Sequence, residues 1–113
     1  SDENIINILK QVGLYDRVKS FENGIYEKIN DNSFSKGEKQ LLAFARAIAK
    51  ETSIYVFDEP TSNVDVESEI QLKKVIDNLS KDSTVIIIAH RPATIENVDK
   101  ILKVEDGKVV QVK

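Results

Sequence analysis

Ile5, Ile6, Leu9 and Val12 recur at the three- and four-residue spacing of a single helical face, which predicts a helix over the first dozen residues. Asp2 is placed to cap that helix and Gly13 to end it. A shorter helix is predicted over Asp16 to Phe21, and Asn23-Gly24 marks a turn. Ile25 to Phe34 mixes apolar and turn residues without a clear period and reads as an ordered loop. At Ser35 the pattern sharpens. Ser35 and Glu38 have the S-x-x-E spacing of a capping box, in which a hydroxyl and a carboxylate satisfy two amides at a helix start. The predicted helix runs to about Lys50 and buries Leu41, Leu42, Ala45, Ile48 and Ala49.

Ile54, Tyr55, Val56 and Phe57 form a continuous apolar run, as expected of a strand covered on both faces, and Asp58, Glu59 and Pro60 end it abruptly. Asp65 can cap the next helix, with Leu72, Val75, Ile76 and Leu79 as its buried stripe. Thr84 to Ala89 reads as a second buried strand ending at His90, and Pro92 can open a short helix. Lys100 to Glu105, Asp106-Gly107 and Lys108 to Val112 read as strand, tight turn and strand. The expected class is α/β. Strand, helix and strand in this order imply a right-handed parallel crossover, and ligands of such sheets sit at the carboxyl ends of the strands. Asp58, Glu59 and His90 each follow a strand closely, so element order alone expects them on one edge.

Composition narrows the chemistry. With 113 residues, 41% hydrophobic and 31% charged, the chain supports one modest core and not two. The balance of 16 Lys+Arg against 19 Asp+Glu, net charge -3, carries no basic block, so no direct nucleic-acid contact is expected. Cysteine is absent and His90 is the sole histidine, which excludes disulfides, cysteine-based zinc sites and histidine metal clusters. The apolar stretches, such as Val85 to Ala89, are too short to cross a bilayer, and Ser1 to Lys10 is no signal peptide. Any link to a membrane is expected through another segment or subunit.

Two adjacent carboxylates after a buried strand suit magnesium-assisted phosphoryl transfer: one holds the hydrated ion while the next orients and deprotonates the attacking water. Asp58 fits the first role and Glu59 the second. Seen alone, the pair is equally an acidic turn before Pro60, because four apolar residues followed by Asp-Glu is a loose pattern. A lone histidine is likewise more often structural than catalytic, and Ser35 and Asp65 are good helix caps whatever else they do.

The wider order of motifs is far more specific. Phe34-Ser35-Lys36-Gly37-Glu38-Lys39-Gln40, Ala45-Arg46-Ala47, Ile54 to Pro60, Ser62-Asn63-Val64-Asp65 and Ala89-His90-Arg91 follow one another. This set resembles the ATP-binding domain of ABC transporters, with its signature sequence, Walker B strand and glutamate, D-loop and switch histidine. Ala89 to Ile95 and the spacing from Glu59 to His90 are exporter-like. The resemblance covers essentially the whole chain, since Asp2 to Asn32 looks like the helical subdomain before the signature.

The resemblance implies a partial P-loop ATPase core. Residues 1–50 would be part of the helical subdomain with the signature, and residues 51–113 the C-terminal part of the core. It implies ATP and Mg2+ as shared ligands, Glu59 and His90 as catalytic residues, and Asp58 on the metal through water. Ser35, Lys36, Gly37 and Glu38 would meet the ATP of a second ATP-binding domain in a head-to-tail dimer, and Asp65 would contact that partner. Free amides and the helix dipole make a helix start a suitable anion site. Transmembrane domains of the parent would hold the unit at the cytoplasmic face of a membrane, and they, not this chain, would choose the cargo.

Two positions depart from the usual signature: Lys36 replaces its first glycine, and Glu38 stands where glutamine is commonest. A lysine beside a triphosphate is electrostatically acceptable, whereas a glutamate aimed at it is not, unless Glu38 folds back onto the Ser35 amide. No G-x-x-x-x-G-K-[ST] loop occurs, because the glycines at 13, 24, 37 and 107 cannot supply it. These residues alone are therefore expected to bind ATP weakly or not at all, and to expose apolar surface around Ile54 to Phe57 and Val85 to Ile88. Ser35-Lys36-Gly37-Glu38-Lys39 also resembles the signature of chromosome-maintenance and DNA-repair ATPases. A non-hydrolysing regulatory module is the third reading.

Overall fold

The computed structural model describes residues 1–90 and 97–113. Among the described residues, four helices, α1 (Asp2–Val12), α2 (Tyr15–Lys19), α3 (Lys36–Ala49) and α4 (Val66–Leu79), combine with strands β1 (Ile54–Asp58), β2 (Thr84–Ile88), β3 (Leu102–Glu105) and β4 (Lys108–Gln111). A single 3-10 turn, Gly24–Tyr26, lies in the segment expected to be a loop. The expected Pro92 helix lies outside the described residues.

Ser1, not Asp2, caps α1, its hydroxyl accepting the Asn4 amide. Asp2 sits one position later, in the first turn, where its carboxylate favours the positive end of the helix and accepts the Tyr26 hydroxyl. Gly13 ends the helix in the left-handed conformation at φ 80°. Of the four expected core positions of α1, Leu9 and Val12 are buried, while Ile5 faces solvent.

α3 buries Leu41, Phe44, Ala45 and Ile48. Ala49, expected in the core, is exposed at the last turn, and Phe44 takes the larger share. The Phe44 ring stacks on Phe57 of β1 with centroids 4.1 Å apart and planes 12° from parallel, fastening the helix to the strand. α4 buries Leu72, Val75, Ile76 and Leu79, as its spacing predicts. One continuous core results, with contributions from α1, α2, α3, β1 and α4.

β1 and β2 pair in parallel, from Ile54 opposite Thr84 to Asp58 opposite Ile88, with α4 as the connection between them. The pair is covered on one face only. Tyr55 and Phe57 point into the core, whereas Ile54 and Val56 are each 59% exposed, and Ile86 and Ile88 stand open beside them. Two covered faces were the expectation for the apolar run of β1, whereas exposed apolar surface here was the expectation for these residues alone, and the exposed surface is what is found. β3 and β4 form a separate antiparallel hairpin. Its two-residue turn, Asp106-Gly107, has positive φ at both residues, the twist that two-residue hairpins prefer.

Candidate functional site

The parallel register brings the chain out of β1 and β2 at the same end, with Asp58 paired to Ile88. The Glu59 amide donates to the Ile88 carbonyl at 2.8 Å, so the ladder continues one residue past the strand. Glu59 itself has φ 51°. For a side chain with a Cβ this left-handed conformation costs on the order of 1–2 kcal/mol and recurs at functional turns. Asn63, at φ 59°, repeats it with a residue that tolerates it better. The turn between them is anchored: the Ser62 amide donates to the Glu59 carbonyl at 3.2 Å, and the Gln40 side chain of α3 donates to the Pro60 carbonyl at 3.0 Å.

His90 Nε2 lies 3.1 Å from Glu59 Oε1. The imidazole is 85% exposed and the glutamate side chain 31%. Although the distance would allow a hydrogen bond, Glu59 Oε1 is shielded from water and has no aligned donor. The contact is thus an ion pair only when the imidazole is protonated, and the carboxylate retains unspent acceptor capacity. Asp58 is exposed at the strand end beside it. The three side chains expected to share one edge do so.

The start of α3 is built differently. Ser35 Oγ accepts the Glu38 amide at 3.1 Å, and Glu38 Oε1 accepts the Ser35 amide at 2.8 Å, completing the predicted capping box. Glu38 is folded back, and its other oxygen lies 3.4 Å from Arg17 Nε of α2. Lys36 is exposed. Gly37 is buried against the start of α4: a Cβ there would lie 2.1 Å from Ser68 Oγ, 2.5 Å from Ser68 Cβ and 2.6 Å from Asp65 Oδ1. This close approach demands a glycine without reference to any ligand.

Asp65 caps α4, its carboxylate accepting the Ser68 amide at 3.1 Å. The Ser68 side chain first, and then its amide, hold the Asp65 carboxyl below the ordinary value of 3.8. Three participants were not anticipated in the sequence. Ser68 and Gln40 act through contacts between helices and turns distant in the chain. Arg17 had one legible signal, because a glutamate where glutamine is usual calls for a nearby cation. Among the described residues, no cluster of three potential metal ligands forms, and no helix is long and apolar enough to cross a membrane.

Comparisons with known proteins bear on this arrangement. The family model of the RecF/RecN/SMC N terminal domain matches residues 3–111. The ATP-dependent lipid A-core flippase of Francisella novicida is 38% identical over 98% of this chain, which spans 19% of that protein. A probable multidrug resistance ABC transporter ATP-binding/permease protein, YheH of Bacillus subtilis (strain 168), is also 38% identical over 98% of the chain and 17% of its own length. The chain belongs to the ABC transporter ATP-binding family. The solved structure of a bacterial Atm1-family ABC exporter with ATP bound superposes with a TM-score of 0.81 at 29% identity, covering 95% of this chain and 19% of that one. The α/β fold therefore matches part of a P-loop NTPase-type domain. The transporter relatives are similar along nearly the whole chain. The chain spans less than a fifth of the length of these relatives.

Proposed function

We propose that this chain is the C-terminal part of an ATP-binding unit that, in the whole protein, hydrolyses ATP to drive transport through transmembrane domains at the cytoplasmic face of a membrane. The observation that carries the reading is the meeting of Glu59 and His90 at 3.1 Å, at the shared carboxyl end of two parallel strands and directly after Asp58. Bound ATP with Mg2+ would supply the phosphoanhydride and screen its charge. Glu59 is the general base, its part-exposed carboxylate accepting the proton of the attacking water. Asp58, exposed next to it, would hold the hydrated ion. His90 is the exposed donor toward the terminal phosphate.

The start of α3 serves the other half of a composite site. The amides of Lys36 and Gly37 belong to the first helical turn, which has no intrahelical acceptors, and face an anion favourably. In a head-to-tail dimer they meet the ATP of a second ATP-binding domain, and Asp65 touches that partner. Residues 1–50 act as the helical portion and 51–113 as the core portion of one domain. Replacing Glu59 with Gln in the full-length protein is the test. Turnover lost with ATP binding retained supports this reading; unchanged turnover rejects Glu59 as the base and favours a non-hydrolysing module.

The RecF/RecN/SMC match favours a second reading, the ATPase head of a chromosome-maintenance or DNA-repair protein. The full-length sequence separates the two. An upstream membrane-spanning region supports the transporter, and a long coiled coil would overturn it.

A further inference from the structure

Glu38 raises an electrostatic problem for the reading above, because a carboxylate beside the start of α3 opposes an anion bound there. The fold resolves it with both oxygens. Oε1 accepts the Ser35 amide at 2.8 Å, and Oε2 lies 3.4 Å from Arg17 Nε. Arg17 makes further contacts on the same segment. Its Nη2 donates to the Ser33 carbonyl at 2.8 Å. The guanidinium centre lies 4.8 Å from the Phe21 ring centroid and 5.9 Å from that of Phe34. These two rings meet edge to face at 5.5 Å. One planar cation thereby fixes the residues on both sides of Phe34 and Ser35: the carbonyl of Ser33 before them and the carboxylate of Glu38 after them.

We infer that Arg17 is a positioning residue for the α3 start, acting through Glu38 and the Ser33 carbonyl, and that Arg17 and Glu38 are a matched pair. A glutamine at 38 could still accept the Ser35 amide through its oxygen. Its NH2 group would then face Arg17, donor against donor, and the brace would open. A lysine at 17 would keep the charge but lose the fork that reaches Ser33 and Glu38 together, and the flat face that lies on the rings. A half-exposed ion pair alone contributes little to stability. The effect of Arg17 is therefore local order in residues 33–38, not global stability.

The role in turnover rests on the proposed nucleotide function; the brace itself does not, and the experiment separates them. Amide hydrogen exchange of the full-length protein, read on peptides spanning residues 30–40, should accelerate about fivefold in Arg17→Ala and Glu38→Gln, and less in Arg17→Lys. Peptides from α4 and the melting temperature should stay as in the wild type. Unchanged exchange in residues 33–38, or acceleration throughout the protein, overturns the brace. Steady-state ATP turnover of the same variants should fall several-fold in Arg17→Ala. The Arg17→Ala, Glu38→Gln double variant should be no slower than the worse single variant, because the two residues act in series. Additive losses overturn the pairing. A locally loosened variant whose kcat and KM match the wild type overturns the positioning role. A full-length wild type that does not turn over ATP defeats the functional reading, and the exchange result then decides the brace alone.

Discussion

The start of α3 and the carboxyl ends of β1 and β2 carry the two halves of the proposed chemistry, yet they are held in opposite ways. At α3, Ser35 and Glu38 cap each other, Glu38 also meets Arg17, and Gly37 is wedged against Ser68. At the strand ends the backbone is anchored, through the Glu59 amide on Ile88 and Gln40 on Pro60, while the side chains of Asp58, Glu59 and His90 have few partners. The difference suits their tasks. A surface that presents amides to an anion must be rigid before the anion arrives, because its donors cannot reorient. A general base must keep its acceptor free, because a carboxylate already saturated with donors takes a proton poorly.

The largest effect expected from breaking this contrast is at the strand end. Glu59→Gln in the full-length protein should lower turnover by at least about 100-fold, the range for loss of a general base, while the melting temperature hardly moves. The opposite profile is expected at α3. Gly37→Ala should destabilise the ATP-binding domain by about 1–3 kcal/mol, since the new Cβ meets Ser68 Cβ at 2.5 Å, and that atom cannot swing away. The gain in helix propensity, at most ~1 kcal/mol, does not offset it. Denaturant unfolding of the variant measures the sum, and a stability equal to wild type would show that α3 and α4 are less tightly apposed.

Ser35→Ala should cost about 1 kcal/mol of stability through loss of the cap, measured in the same way. The smallest effect concerns Asp65. Its carboxyl is held below its ordinary value by Ser68, so the folded state favours the ionised form. The resulting stabilisation is complete above the unfolded value and is lost as pH falls through the folded one. Asp65→Asn keeps a capping oxygen but removes the charge. The stability gap between wild type and Asp65→Asn should be constant near neutrality and close below pH 3.8. A gap that widens toward acid would contradict the assignment.

How much could be read in advance follows the same contrast. The capping box was legible because its partners lie three residues apart, where helix geometry alone brings them together. The α4 stripe and the Asp106-Gly107 hairpin were legible for the same local reason. Ala49 was misjudged because periodicity marks a face but not where the covering neighbour ends. For β1 the apolar run is compatible with either one covered face or two, and the exposed Ile54 and Val56 match the apolar surface expected of these residues alone.

The sequence by itself determined the long helices and the strands, the caps that start α3 and α4, and the order of motifs that marks the family. Each depends on neighbours within a few residues. Tertiary structure alone decided that His90 meets Glu59 across the parallel register, that Gly37 packs on Ser68, and that Arg17 reaches Glu38. Those pairs are separated by many residues. Their distances are set by how a shared core stacks helices on strands, and no local pattern encodes that stacking.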